Sequence, residues 1–162
     1  MRRYMLLLAT AMVAALVLAS GVALAVTKIG TNGPDTLIGT KGSDVLFGKG
    51  SSDWIEGRGG KDVIRGGPGN DDPLSSPAIG DLDGGPGADI ISGGAGDDSL
   101  YDGGDSAVDI LKGGEGNDWF MSFSFNRPAA RDIVRCGDGS RDHAEVDRKD
   151  IVGDDCERVR IH

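Results

Sequence analysis

The sequence predicts an all-β fold in which short strands are wound as successive coils of a solenoid. Three observations predict it: glycine recurs every nine residues, an aspartate follows each of these glycines by five residues, and an apolar residue follows most of these aspartates by two. Each nine-residue unit therefore holds one turn and one short strand. Two units make one coil of eighteen residues, so units two apart in sequence lie above one another.

The composition leaves little material for a conventional hydrophobic core. Glycine supplies 28 of the 162 residues, aromatic residues make up 5%, and part of the 38% that is hydrophobic lies in a single N-terminal run. The net charge of −9 argues against nucleic acid or an anionic membrane surface as a partner. Cations are the partners that such a chain favours, and something other than apolar burial must help to hold the fold.

Residues 1–25 predict a signal peptide and hence an extracellular protein. Arg2 and Arg3 precede an apolar run over residues 5–19, and a small-x-small pattern ends the segment. We predict cleavage before Val26, which changes the net charge from −9 to −11. A retained membrane anchor is the alternative, because the segment is long enough to span a bilayer.

Residues 26–121 contain the phased aspartates, which are candidate calcium ligands. Glycine turns leave carbonyl oxygens free, and Ca²⁺ binds carboxylate and carbonyl oxygens together. A solvated acidic face or simple Asx turns would explain many aspartates, but neither explains their fixed phase with glycine and an apolar residue. The candidate ligands are Asp35, Asp44, Asp53, Asp62, Asp71, Asp89, Asp98, Asp109 and Asp118.

Stacked units are expected to bring these aspartates together in pairs. Six Ca²⁺ ions, one for each pair, would add a charge of +12 to a mature chain of −11. Without calcium the carboxylates repel one another and the small core cannot offset chain entropy, so we expect a disordered chain that folds on binding calcium after export. The six expected pairs are Asp35 with Asp53, Asp44 with Asp62, Asp53 with Asp71, Asp71 with Asp89, Asp89 with Asp109, and Asp98 with Asp118.

Residues 84–92 read Gly-Gly-Pro-Gly-Ala-Asp-Ile-Ile-Ser, and similar segments begin at Gly93 and Gly113. They resemble the GGxGxDxUx nonapeptide of the RTX, or haemolysin-type, calcium-binding repeats. The resemblance implies a parallel β-roll, an RTX-type solenoid, that holds several Ca²⁺ ions in its turns. It also implies that the repeat aspartate and turn carbonyls are the ligands.

Several units depart from this motif. Residues 72–83 contain Pro73 and lack a phased aspartate, and we expect a bulged loop with an eighteen-residue separation between the units that flank it. Residues 105–108 distort another turn, just before Asp109. Weaker calcium sites are expected early in the roll, where other residues replace motif glycines: Thr31, Thr40, Lys49, Ser51 and Arg58.

Residues 122–162 are expected to form a small cap over the open end of the stack. Cys136 and Cys156 are the only cysteines, and export makes a disulfide between them the default expectation. This segment resembles the two-cysteine tail of some small exported bacterial RTX-repeat proteins. Asp142 follows a turn-like stretch with one residue too many, so it is not counted as a ligand.

An enzyme is not expected. The chain has neither an HExxH helix nor a GxSxG elbow, and His143 and His162 are its only histidines. Trp54 and Trp119 are expected to lie at the surface or at a sheet edge. The alternative function is that of a calcium-dependent extracellular adhesin or matrix interaction protein, with a cell-surface or polysaccharide partner.

Overall fold

The structure is a computed structural model that describes residues 24–71, 82–124 and 130–162. Most of the expected signal peptide, residues 1–23, lies outside the described residues. None of the described residues forms a helix that could cross a membrane.

The described residues form short strands joined by turns. In chain order they are β1 (Thr27–Ile29), β2 (Thr36–Ile38), β3 (Val45–Phe47), β4 (Trp54–Glu56), β5 (Val63–Pro68), β6 (Leu82–Asp83), β7 (Ile90–Ala95), β8 (Ser99–Tyr101), β9 (Ile110–Glu115), β10 (Trp119–Ser122), β11 (Ile133–Asp138), β12 (His143–Val146), β13 (Ile151–Val152) and β14 (Arg158–Ile161).

These strands make two parallel sheets that face each other. One sheet has the order β1-β3-β5-β7-β9-β11-β13, and the other has the order β14-β12-β10-β8-β6-β4-β2. Every strand therefore pairs with strands two places away in the chain, as Val45 of β3 does with Thr27 and Val63. The predicted all-β parallel solenoid is confirmed.

The core is a single column of apolar side chains between the sheets. Strands alternate side chains between two faces, so the middle residue of each three-residue strand points inward. The inward residues predicted from the repeat are confirmed, except that Leu37 in the first coils is only partly buried. The buried core consists of Leu46, Ile55, Ile64, Leu82, Ile91, Leu100, Leu111, Phe120, Val134, Cys136, Ala144 and Val146.

The coil around residues 72–81 is longer than the sequence pattern predicted. Leu82 of β6 pairs with Ile55, and Ile91 pairs with Ile64, so this coil spans 27 residues. The expectation that the units flanking the loop, eighteen residues apart in sequence, stack on each other is wrong. Pro73 has no N–H to donate to a ladder, which disfavours a strand directly after Asp71, and the next strand of the described residues is β6 at Leu82. Residues 72–81 themselves lie outside the described part of the chain.

The C-terminal segment contributes strands to the same two sheets. β11 pairs with β9 and β12 pairs with β10, so the sheets continue past residue 122. The role of residues 122–162 as a cap remains a prediction. The predicted disulfide is confirmed: Cys136 on β11 and Cys156 before β14 are bonded, with 5.1 Å between their Cα atoms.

Candidate metal centre

The aspartates that end the turns stack in two columns, one along each side of the roll. Within a column, the main-chain N–H of one aspartate donates to Oδ1 of the aspartate one coil further on, at 2.6 to 3.1 Å. The first column, which precedes the odd-numbered strands, contains Asp44, Asp62, Asp89, Asp109, Asp132 and Asp150. The second column, which precedes the even-numbered strands, contains Asp35, Asp53, Asp71, Asp98, Asp118 and Asp142.

Five of the six expected aspartate pairs occur in these columns. The pairing of Asp71 with Asp89 is wrong. Because the coil at this point spans 27 residues, Asp71 donates its N–H to Asp98, and Asp62 donates its N–H to Asp89. All nine predicted aspartates lie in the columns, whereas their role as metal ligands remains a prediction.

Sequence reasoning did not select Asp132, Asp142 and Asp150, which extend the columns through the C-terminal segment. Each still has a partly or fully buried residue two positions later on its strand, as the repeat requires. What these turns lack is the regular unit: no glycine lies five residues before Asp132 or Asp150, and before Asp142 the place of the repeat glycine Gly113 is taken by Cys136. An aspartate followed two positions later by an apolar residue, even without the repeat glycine, was the sequence signal that could have identified them.

Seven of the column carboxylates have one oxygen that accepts a main-chain N–H and one that accepts no hydrogen bond from the described residues. Oδ2 is buried and accepts no hydrogen bond from the described residues in Asp53, Asp62, Asp71, Asp89, Asp98, Asp118 and Asp142. In all of these except Asp142, this oxygen lies beside the glycine that begins its own turn. A Cβ on Gly57 would lie 2.6 Å from Oδ2 of Asp62 and 2.5 Å from the carbonyl oxygen of Gly84, one coil away.

A similar space lies at the start of the roll, where Oδ2 of Asp35 also accepts the N–H and the hydroxyl of Thr31. A Cβ on Gly30 would lie 2.6 Å from Oδ2 of Asp35 and 2.5 Å from the carbonyl oxygen of Gly48. Only glycine leaves this space open, and a carboxylate oxygen and a carbonyl oxygen of the next coil border it. Oxygen donors without nitrogen or sulfur are the ligand set of Ca²⁺, whereas zinc sites favour nitrogen and sulfur.

Among the described residues, no cationic side chain forms an ion pair with a buried column carboxylate. The ion pairs of the described residues involve Glu56 and Glu145, and none involves a column aspartate. Burial raises the pKa of Asp71 to about 7 and the pKa of Asp98 to about 8. The hydrogen bond from the preceding coil lowers these pKa values, and neighbouring carboxylates raise them. A buried charge of this kind is stable only with a bound cation or a proton.

Early turns contain residues in a backbone conformation that suits glycine. The φ angles of Lys49, Ser51 and Arg58 are 89°, 81° and 77°, whereas the later units have glycine at the corresponding positions, such as Gly67 with a φ of 120°. Non-glycine residues are strained in this region. The strain is in keeping with weaker early sites, which remain a prediction.

The two tryptophans lie on the outer face of the sheet of even-numbered strands, as expected. The exposed fraction is 39% for Trp54 and 47% for Trp119. The Trp119 ring lies 4.6 Å from the His143 ring, measured between centroids.

A protein-family model described as the RTX calcium-binding nonapeptide repeat, four copies, matches residues 29–60, 39–72 and 103–121. The matched segments contain all the predicted ligands except Asp89 and Asp98, which the structure places in the same columns. No curated protein and no solved structure matches the chain.

Proposed function

Because the chain contains RTX calcium-binding nonapeptide repeats, we propose that it binds several Ca²⁺ ions, about six, in the turns of the roll and folds as it binds them. The observation that carries the proposal is the space beside four of the phased glycines, Gly48, Gly57, Gly66 and Gly113. A buried carboxylate oxygen without a hydrogen bond and a carbonyl oxygen of the next coil border this space.

The ligands proposed for these ions are the nine phased aspartates together with carbonyl oxygens of the turns. Two aspartates that are neighbours in a column, such as Asp44 and Asp62, would serve one ion between them. The ion supplies the positive charge that the described part of the chain does not place beside these carboxylates. Its binding would also hold adjacent coils together at the turns.

Calcium-driven folding follows from the balance between charge and core. Most strands contribute one fully buried apolar side chain, and the column carboxylates are buried as like charges. Affinities in the range of extracellular modules, roughly 10⁻⁴ to 10⁻³ M, would leave the chain unfolded in a calcium-poor cytosol and folded outside the cell. Secretion through the expected signal peptide belongs to the same proposal.

Isothermal titration calorimetry with Ca²⁺ tests the binding, and a parallel titration with Mg²⁺ is the cation control. Mg²⁺ requires a compact octahedral site and keeps its waters, so it should bind more weakly and stabilise less structure. Uptake of several Ca²⁺ ions per chain is the expected result. No uptake at millimolar Ca²⁺ would refute the proposed function.

We propose no enzymatic activity for this chain. The support is that the buried acidic side chains recur in coil after coil and face main-chain oxygens, an arrangement suited to ions and not to one bound substrate.

A calcium-dependent adhesin or matrix protein is the second candidate, and the exposed Trp54 and Trp119 favour it. Exposed tryptophan on a flat sheet provides a surface for stacking. Retention of the purified chain on immobilised polysaccharide or cells, with Ca²⁺ and with chelator, tests it, and Trp119→Ala is the matched variant. Equal retention of both proteins, or none, would count against the adhesin function.

A further inference from the structure

We propose that Asp102, Asp109 and Asp132 form a cation site of a second kind, more highly charged than the repeat sites and filled before them. The proposal rests on the proposed function in one respect only, namely that the turns of the roll take up hard cations such as Ca²⁺. The donor set differs from the repeat, because Asp102 has no counterpart among the phased aspartates.

These three carboxylates are buried together in the turns that lead into β9 and β11. Their exposed fractions are 2%, 1% and 4%, respectively. One oxygen from each can be chosen so that all three lie within 4.8 Å of one another. No lysine, arginine or histidine of the described residues is ion-paired with them.

Asp102 occupies the place of a repeat glycine. Tyr101 is in register with Asp83, and Asp83 with Glu56, so residue 102 stacks on Gly84 and Gly57. In the coil of Gly57, a Cβ would meet a carboxylate oxygen and a carbonyl oxygen. Asp102 therefore projects its side chain from the position at which the other coils leave space between such oxygens. Asp102 thus adds a third carboxylate at a position where the repeat has glycine, which has no side chain.

A further buried oxygen without a hydrogen bond lies in the coil that precedes this cluster. Oδ2 of Asp89 accepts no hydrogen bond from the described residues and lies 2.7 Å from the position of a Cβ on Gly84, the glycine against which residue 102 stacks. Asp89 itself is 1% exposed, and its N–H donates to Oδ1 of Asp109 at 2.6 Å. This unpartnered carboxylate oxygen, which lies outside the three clustered residues, points to a cation in the adjoining turn.

Neighbouring donors hold the carboxylate of Asp102 in position. The N–H of Gly104 donates to Oδ1 at 2.7 Å, and the buried hydroxyl of Ser122 donates to Oδ2 at 2.9 Å. The Ser122 oxygen is also 3.5 Å from Oδ2 of Asp132. A single hydroxyl proton cannot serve both carboxylates fully, so it orients the oxygens without neutralising them.

The charge count sets the expected order of binding. Three ionised carboxylates carry a charge of −3, whereas a pair of column aspartates carries −2 and is completed by neutral carbonyls. Calcium affinity rises with the number of charged ligands and with the rigidity of the site. This site should therefore take the first ion in a titration.

Asp102→Asn and Asp102→Gly test the proposal by calorimetric titration with Ca²⁺ and by competition with Tb³⁺, which takes similar oxygen ligands. Both variants should weaken the tightest ion about tenfold or more and leave the number of weaker ions unchanged. Asp102→Gly restores the glycine of the repeat, so the turn keeps its conformation. Asp83→Asn is the matched control, because Asp83 accepts an N–H from Gly85 two residues later, as Asp102 does from Gly104, and lies outside the cluster.

Asp132→Asn provides a second route to the same result if a variant at position 102 fails to fold. Asp132→Asn should lose the same ion, and combining it with Asp102→Asn should cost no second ion. A tight ion that survives both single variants would overturn the proposal, and so would an equal loss in Asp83→Asn. If the unaltered chain takes up no Ca²⁺ at all, the proposed function is refuted. If it takes up ions of a single affinity and Asp102→Asn leaves that affinity unchanged, only the proposed Asp102 site is refuted.

Discussion

Replacing Asp62 separates the charge of a column carboxylate from its hydrogen bond. Asp62 is fully buried, its Oδ1 accepts the N–H of Asp44 at 2.7 Å, and its Oδ2 faces the space beside Gly57 without a hydrogen bond. Asp62→Asn keeps the acceptor and removes the charge. Asp62→Ala removes both and leaves the buried N–H without a partner, which costs about 1–3 kcal/mol.

Asp62→Asn should lower the stability of the calcium-loaded chain and raise the stability of the calcium-free chain. Asp62 belongs to two pairs, with Asp44 and with Asp89, so two ions lose a charged ligand. Each tenfold weakening costs about 1.4 kcal/mol, and the two together lower the free energy of unfolding at saturating Ca²⁺ by about 3 kcal/mol. In chelator the change should favour the fold, because burial raises the pKa of Asp62 to about 6 and its charge is unfavourable there.

Urea unfolding followed by circular dichroism in saturating Ca²⁺ measures the first effect, and the β-sheet signal that remains in chelator, compared between the variant and the unaltered chain, measures the second. Asp138→Asn is the control, because Asp138 is exposed and lies outside the aspartate columns. The reasoning is refuted if Asp62→Asn leaves the stability in Ca²⁺ unchanged, or if Asp138→Asn lowers it by the same amount.

Three further changes have defined outcomes. Arg58→Gly relieves a φ of 77° and should raise the free energy of unfolding in Ca²⁺ by about 0.5–1 kcal/mol in urea melts; a lower value would contradict the strain. Burial raises the pKa of Asp98 and Asp109 to about 8, so the folded chain without calcium binds more protons than the unfolded chain. Its stability should be greatest at about pH 4 and fall steadily up to about pH 8, as measured by circular dichroism in chelator. A stability that rises over this range would mean that these carboxyl groups do not control it. Replacing Cys136 and Cys156 with serine should cost about 3 kcal/mol in the same urea assay at saturating Ca²⁺, and an unchanged midpoint would mean that the bridge does not constrain the unfolded chain.

The features that sequence could predict are local ones. A turn glycine, an aspartate and an inward apolar residue lie within one nine-residue unit, so their spacing follows from backbone geometry alone. This is why the burial of Leu46 and Ile91 and most of the aspartate pairs followed from periodicity.

The long coil could not be predicted in the same way. Its extra residues number nine, the length of one repeat unit, because the coil spans 27 residues in place of 18. The nine-residue spacing therefore continues across the loop. Periodicity alone cannot distinguish a unit that forms part of a regular coil from a unit of the same length that is looped out. Pro73 was the physical signal, since it cannot donate to a ladder, but its consequence for the pairing of Asp71 depended on the three-dimensional stacking.

The Asp102 cluster was hidden for a related reason. Counting from the next glycine, Gly103, treats residue 102 as an insertion, whereas the strand register gives residue 102 the place of the repeat glycine. Asp132 lies in a longer turn, so its distance from Asp102 in sequence carried no information about their proximity. Only the pairing of β9 with β11 brings the turns that hold these carboxylates together.

Far-ultraviolet circular dichroism of residues 26–162, recorded in Ca²⁺ and then in excess chelator, is the most direct test of the claim that calcium supplies the stability of the roll. We predict a β-sheet spectrum in Ca²⁺ that is largely lost in chelator at neutral pH and returns when Ca²⁺ is restored. A β-sheet spectrum that persists in full in chelator would contradict the account.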